Sequence, residues 1–226
     1  MRFTEELERK RYASRVMHSL IPPQKIFDLA EVLSSRMLLR TEGRMWMGTH
    51  IRRGDCKYPC TCFLKQSGPE AIPVIRLGWV MERDPKDHIQ RVKERLQGGR
   101  SVLIDLHNRG YWTTCDIEDV QPDLEQTALP PPRAGDPFFV ATDERDPETR
   151  RKIADEGAVF MSDLLSMQDR QAFGWSLMIT DVMALVEQQV LARSGYFYGH
   201  SWSSFSGVIV NMRAGRGADP RTMLLD

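Results

Sequence analysis

Apolar residues first recur at helical spacing in Ile26, Ala30, Leu33 and Met37, with Leu29 beside them. That period predicts an amphipathic helix whose apolar side is core. The Pro22-Pro23 pair separates it from a charged segment, 4–18, that also reads as helical. Residues 44–51, RMWMGTHI, read as a buried strand, and the polar turn Arg52–Asp55 follows. Residues 56–75 carry Pro59, Gly68, Pro69 and Pro73 and read as irregular. A helix over 84–97 is expected, begun by Asp84 and Pro85 and ended by Gly98-Gly99. Ser101–Leu106 reads as a strand. Residues 108–136, polar and containing Pro130-Pro131-Pro132, read as a long loop or insertion, an unusual length for a connection.

From Pro137 the pattern is regular. Phe138–Thr142 predicts a strand, and Asp146-Pro147 starts a helix ending near Gly157. Ala158–Met161 predicts a short strand. Residues 171–193 predict one long helix with Ile179, Val182, Val186 and Val190 on its buried side. Tyr196–Tyr198 is a last strand, and a serine-rich turn opens a final helix over 204–213. Strands alternating with helices imply an α/β fold: a Rossmann-like parallel sheet with helices on both faces. The expected organisation is an N-terminal helical segment, 1–23, and one domain, 24–226, with an irregular insertion around 108–136.

Composition changes this picture in three places. No apolar run approaches the roughly 18 residues needed to span a bilayer, so no membrane segment is expected. The start, MRFTEELERKRYASRV, lacks the apolar stretch of a signal peptide. The 31 basic and 31 acidic residues cancel, which argues against broad nucleic-acid or anionic-membrane binding while leaving room for a local basic pocket. Besides Cys115 there is a cluster, Cys56, Cys60 and Cys62, that with His88 or His107 could make a zinc site, yet no standard paired spacing is present. Free thiols or disulfides are the alternatives, and no metal site is expected.

Three turns carry candidate chemistry. The first is His50-Ile51-Arg52-Arg53-Gly54-Asp55. Strand side chains alternate, so His50 and Arg52 share a side where the strand ends. Two arginines can grip a diphosphate through forked hydrogen bonds, and Gly54 permits a tight turn. Surface ion pairing of these arginines is the alternative, as is an adhesive Arg53-Gly54-Asp55 tripeptide, a pattern that arises often by chance. The second is Phe139-Val140-Ala141-Thr142-Asp143-Glu144. The Asp143 carboxylate can accept from the imino and amino groups of a nucleobase. Asp146, before Pro147, is the better helix cap, which leaves Asp143 available. The third is Gly199-His200-Ser201-Trp202-Ser203-Ser204-Phe205-Ser206, where helix-start N–H groups and serine hydroxyls suit phosphate. Capping by Ser203 or Ser204 is the alternative. Guanidinium, carboxylate and helix-start donors together make the set a nucleoside diphosphate requires.

In order and spacing, HIRRGD, then ATDE, then a long helix leading to YFYGHSWSSFSG resembles the C-terminal half of the GDP-fucose protein O-fucosyltransferase family, its fungal members especially. The resemblance covers roughly residues 24–213. It implies a glycosyltransferase of the GT-B type, with paired Rossmann-like halves, that is inverting and needs neither metal nor other cofactor. The donor substrate would be GDP-fucose and the acceptor a protein or glycan. Arg52 resembles the catalytic arginine that binds the β-phosphate and supports departure of GDP. His50 and Asp143 resemble residues that recognise the guanosine part, and Ser203, Ser204 and Phe205 the phosphate-binding turn. Arg53 matches a second arginine of some related enzymes. The family implies the secretory pathway. Its acceptor contacts and any base lie in an N-terminal half, for which little sequence precedes Met37. The expectation is therefore a fucosyltransferase-like enzyme or its donor-binding half. The alternatives are a noncatalytic GDP-sugar-binding module and an incomplete fragment.

Overall fold

A computed structural model describes residues 22–52, 85–114, 117 and 119–226. The helix expected over 4–18, the irregular stretch 56–75, Asp84, Arg53 to Asp55 and all four cysteines lie outside the described residues.

Helix α1 (Gln24–Arg40) buries Ile26, Leu29, Ala30, Leu33 and Met37, the face its periodicity predicts. Strand β1 (Met47–Ile51) is buried along its whole length, as the central strand of a two-faced sheet must be. Helix α2 (Pro85–Arg109) follows. A short helix α3 (Leu124–Thr127) leads to β2 (Phe138–Thr142), α4 (Pro147–Asp155) and β3 (Ala158–Phe160). Then come α5 (Met161–Leu164), α6 (Met167–Phe173), a 3₁₀ turn (Trp175–Met178) and α7 (Thr180–Ala192). Strand β4 (Tyr196–Gly199), helix α8 (Ser204–Gly215), a second 3₁₀ turn (Pro220–Thr222) and β5 (Met223–Leu225) complete the order.

All pairings are parallel and the strand order is β3-β2-β1-β4-β5. This is the doubly wound order of a Rossmann-like sheet. Side-chain alternation splits the core into two layers. Phe139, Ala141, Val159 and Phe197 pack with α1, α7 and α8. Phe138, Val140, Phe160, Tyr196 and Tyr198 pack with α2 and with Ile153 of α4.

Two expected elements are corrected. The helix expected to stop at Gly98-Gly99 continues to Arg109, and Ser101–Leu106 is helix rather than strand. The buried residues Ile89, Val92, Leu96, Leu103 and Leu106 keep one helical phase straight through the glycine pair. Gly99 is there for space: a Cβ at this position would clash with the Tyr196 ring of β4, whereas one on Gly98 would meet nothing. The helix expected over 171–193 is broken at Gly174, whose φ of 87° takes the chain out of helix. Val186 and Val190 are buried as expected, but Ile179, in the connecting turn, is 41% exposed.

The 108–136 stretch is largely irregular and is tied to the body. Pro130 O accepts from Met45 N at 2.8 Å, and Asp123 N donates to Gly217 O at 3.3 Å. Asp136 takes a forked contact from Arg44, with Nη2 and Nε at 2.7 and 2.9 Å. That pair draws the carboxyl group of Asp136 below its usual range against the opposing pull of burial. On the other side of the sheet Arg36 of α1 pairs with Asp169 of α6 and donates to Leu164 O, anchoring the α5–α6 connection.

Candidate functional site

In a parallel sheet every strand ends on the same edge, so the turns after β1, β2 and β4 meet there. The chain winds from β1 to β2 and β3 in one direction, then returns to β4 and β5 on the other side of β1. The reversal falls between β1 and β4, the place where doubly wound sheets open a ligand crevice.

His50 points from β1 toward the start of α8. Its Nδ1 lies 2.9 Å from Ser206 Oγ, and its ring stacks on Phe205 with centroids 4.4 Å apart. Ser206 Oγ also accepts from His200 N at 3.0 Å. The serine proton is thereby available to Nδ1, an assignment that leaves His50 with an Nε2–H donor. Burial pushes His50 down to about 4, with Arg52 and His200 adding to the effect and Asp143 opposing it, so the ring is neutral at pH 7. Burial also lowers His200. Gly199 leaves room for this arrangement: a Cβ there would sit 2.7 Å from both Ser206 Oγ and the Phe197 ring.

His50, Arg52, Asp143 and Phe205 share the wall of one cavity of about 340 Å³, within the range of small-molecule sites. Thr142, Arg150 of α4 and Ser162 of α5 add polar groups, and Phe160 and Met161 add apolar ones. The remaining wall is one face of α7, made by Thr180, Met183, Ala184 and Glu187 at helical spacing. Asp146, not Asp143, caps α4, accepting from Thr149 N at 2.8 Å.

Ser203 and Ser204 are not part of this wall; they begin α8. Ser203 holds the N-cap position, yet its side chain makes no capping bond. Its hydroxyl is buried and has no partner among the described residues. The start of α8 is thus left without a side-chain cap, a condition that favours an anion at the exposed N–H groups. Trp202 beside it is 81% exposed.

Two residues of the site were not singled out from sequence. Ser206 was legible only as one more serine in a serine-rich turn. Glu187 carried a clearer signal: it lies four residues after Met183 and seven after Thr180, on the half-buried flank of an apolar helix. Burial raises its carboxyl to about 8, against the opposing charge of Arg150.

A larger cavity, about 460 Å³, lies at the opposite edge beside Met45, Trp46 and Gly195. Its arginines are engaged locally. Arg193 donates to Gln189 O at the end of its own helix, and Arg216 pairs with Asp123 at 3.7 Å. Of the residues predicted from the motifs, His50, Arg52, Asp143 and Phe205 line the smaller cavity, and none lines the larger one.

No helix among the described residues is long and apolar enough to cross a membrane. No group of three His, Cys, Asp or Glu among them is placed to hold a metal ion. The fold and site define a Rossmann-like α/β domain with a cavity over the carboxyl ends of β1, β2 and β3. No protein-family model matches the chain, and no curated protein matches it.

Proposed function

We propose that this chain is the donor-binding half of a fucosyltransferase-like glycosyltransferase of the GT-B type, taking GDP-fucose as donor and a protein or glycan as acceptor. The observation that carries the reading is the start of α8. It stands at the sheet's switch point without a side-chain cap, holds the buried hydroxyl of Ser203, which has no partner among the described residues, and carries in its first turn Phe205 and Ser206, which engage His50. A diphosphate placed there satisfies the helix-start N–H groups and that hydroxyl, with Arg52 as its forked cation. The nucleoside then lies in the cavity toward β2, where Asp143 accepts from the imino and amino edge of guanine.

The reaction is a displacement at the sugar's anomeric carbon. The acceptor oxygen forms a bond to that carbon as the bond to the β-phosphate oxygen breaks, and GDP leaves with the bonding pair. Arg52 and the α8 N–H groups hold the charge that grows on the diphosphate. The acceptor's proton goes to a base that the resemblance assigns to the other half of such enzymes.

Thermal shift with GDP, GDP-fucose, ADP and UDP tests this, because a ligand that binds only the folded chain raises its melting temperature. GDP and GDP-fucose are expected to stabilise most, and the effect is expected to survive EDTA. Equal or larger stabilisation by UDP removes the guanine assignment. Turnover of GDP-fucose with an acceptor separates an enzyme from a noncatalytic binding module; on the donor-half reading, the chain alone binds GDP and transfers slowly or not at all.

A further inference from the structure

Asp143, His50 and Arg52 account for one side of the cavity. The opposite wall, from α7, is apolar or weakly polar at Thr180, Met183 and Ala184, and ends in a carboxyl group at Glu187. An acid set on a helix flank against the core would ordinarily be paired. Here the nearest charge that bears on it is Arg150, and its effect is outweighed by burial. A carboxyl group opening into a cavity that already holds a second acid, Asp143, has a specific use. One can serve as hydrogen-bond acceptor and the other, with its proton on, as donor.

We propose that Glu187, which lines this cavity together with Asp143, is a ligand-contacting residue that donates a hydrogen bond to an acceptor atom of the bound nucleoside while Asp143 accepts from the same ligand. The proposal rests on the nucleotide reading of the site and deepens it. A guanine presents both kinds of group, acceptors at O6 and N7 and donors at N1 and N2. Adenine and uracil also present both kinds, but neither offers a carboxylate the adjacent N1–H and N2–H2 donor pair of guanine.

The ionisable and charged groups facing this cavity are His50 and Arg52 from the end of β1, Asp143 from the end of β2, and Arg150 from α4. α5 and α8 contribute Ser162 and Phe205, which carry no charge. Glu187 is raised to about 8 by burial, while His50 is already neutral well below pH 7. Raising the pH through 8 removes the donor proton and sets a negative charge beside an anionic ligand. Both effects weaken binding.

The test is calorimetric titration of GDP, UDP and ADP into the parent chain, Glu187→Gln and Glu187→Ala at pH 7 and pH 9, with circular dichroism to confirm that each is folded. Glutamine keeps the donor and cannot ionise, so it also controls for titration of the base itself. The parent is expected to lose about tenfold in GDP affinity between the two pH values, the order of one hydrogen bond. Glu187→Gln is expected to match the parent at pH 7 and to hold that affinity at pH 9 apart from the ligand's own titration. Glu187→Ala is expected to be about tenfold weaker at pH 7. If Glu187→Gln follows the parent at both pH values and Glu187→Ala, or the glutamine variant where alanine does not fold, shows no loss of pH sensitivity or affinity, Glu187 does not touch the ligand. If no nucleotide binds the parent, the nucleotide reading falls and this proposal with it. The two failures are distinct because the first leaves GDP binding intact.

Discussion

His50 Nδ1 lies 2.9 Å from Ser206 Oγ, which joins the end of β1 to the first turn of α8 directly across the switch point. The same oxygen accepts from His200 N, so one hydroxyl serves both strand ends. Ser206→Ala leaves a buried imidazole nitrogen and a backbone N–H without their partner. The expected cost is about 1–3 kcal/mol in urea unfolding. GDP affinity is expected to fall with it, because His50 and Phe205 lose their common anchor. A variant of parental stability would mean that the bridge contributes nothing.

Arg52 follows β1 at the cavity wall. As a phosphate contact it is worth about 1.5–3 kcal/mol, so Arg52→Ala is expected to weaken GDP binding roughly ten- to a hundredfold. Arg52→Lys should restore part of it, since lysine keeps the charge and loses the planar fork. Guanosine lacks the phosphates and is expected to bind all three proteins alike. Calorimetry with both ligands decides, and unchanged GDP affinity in a folded Arg52→Ala protein would remove the leaving-group argument.

Half-buried Glu187 and buried His50 set opposite pH dependences on stability. Glu187 keeps its proton up to about 8 in the folded chain, whereas an unfolded glutamate loses it near about 4.3. Between those values folding takes up a proton, so stability falls as pH rises and levels off above about 8. His50 titrates at about 4 when folded and near about 6.5 when unfolded, so across that window stability rises with pH. Glu187→Gln is therefore expected to raise the melting temperature over the parent most at pH 8, with the gain shrinking toward pH 5. A gain of constant size from pH 5 to pH 8 would contradict the assignment.

The two glycines inside α2 separate helix propensity from packing. Gly98→Ala adds a methyl group that meets nothing and improves helix propensity, for an expected gain of about 0.5–1 kcal/mol. Gly99→Ala drives a methyl group into the Tyr196 ring and is expected to destabilise by about 1–3 kcal/mol. Chemical denaturation of both variants checks the pair. Similar changes in the two would show that α2 does not approach β4 at Gly99.

These residues also show where sequence was readable. Ile26 to Met37 and Phe138 to Thr142 obey one period within one element, and both elements form where that period places them. Asp146-Pro147 states a helix start chemically, and the cap forms. Gly98-Gly99 misleads because glycine's local meaning, a stop, is overridden by a tertiary one, the ring of Tyr196 nearly a hundred residues later. Gly174 errs in the opposite direction: an apolar pattern continues across it while the backbone does not. Strand β5 has three residues and is held by pairing with β4, a support no local pattern announces. Within the site, motif order brings His50, Arg52, Asp143 and Phe205 to one cavity wall. Glu187 belongs to no motif and is visible only through the phase of α7 against the sheet.

Strand β1 has no neighbour near it in sequence. It pairs with residues of β2 around Phe139 on one side and with residues of β4 around Tyr196 on the other. Long loops must close before the middle of the sheet gains a single ladder bond, so the entropy of closure comes first and the compensating contacts later. Refolding is expected to be slow for a chain of this size. A nascent chain released before β4 would expose one edge of its central strand, together with the part of the apolar face meant for α8. The arrangement that opens a crevice for a ligand thus also makes the same strand the last to be secured and, until then, the natural place for two unfinished copies to join.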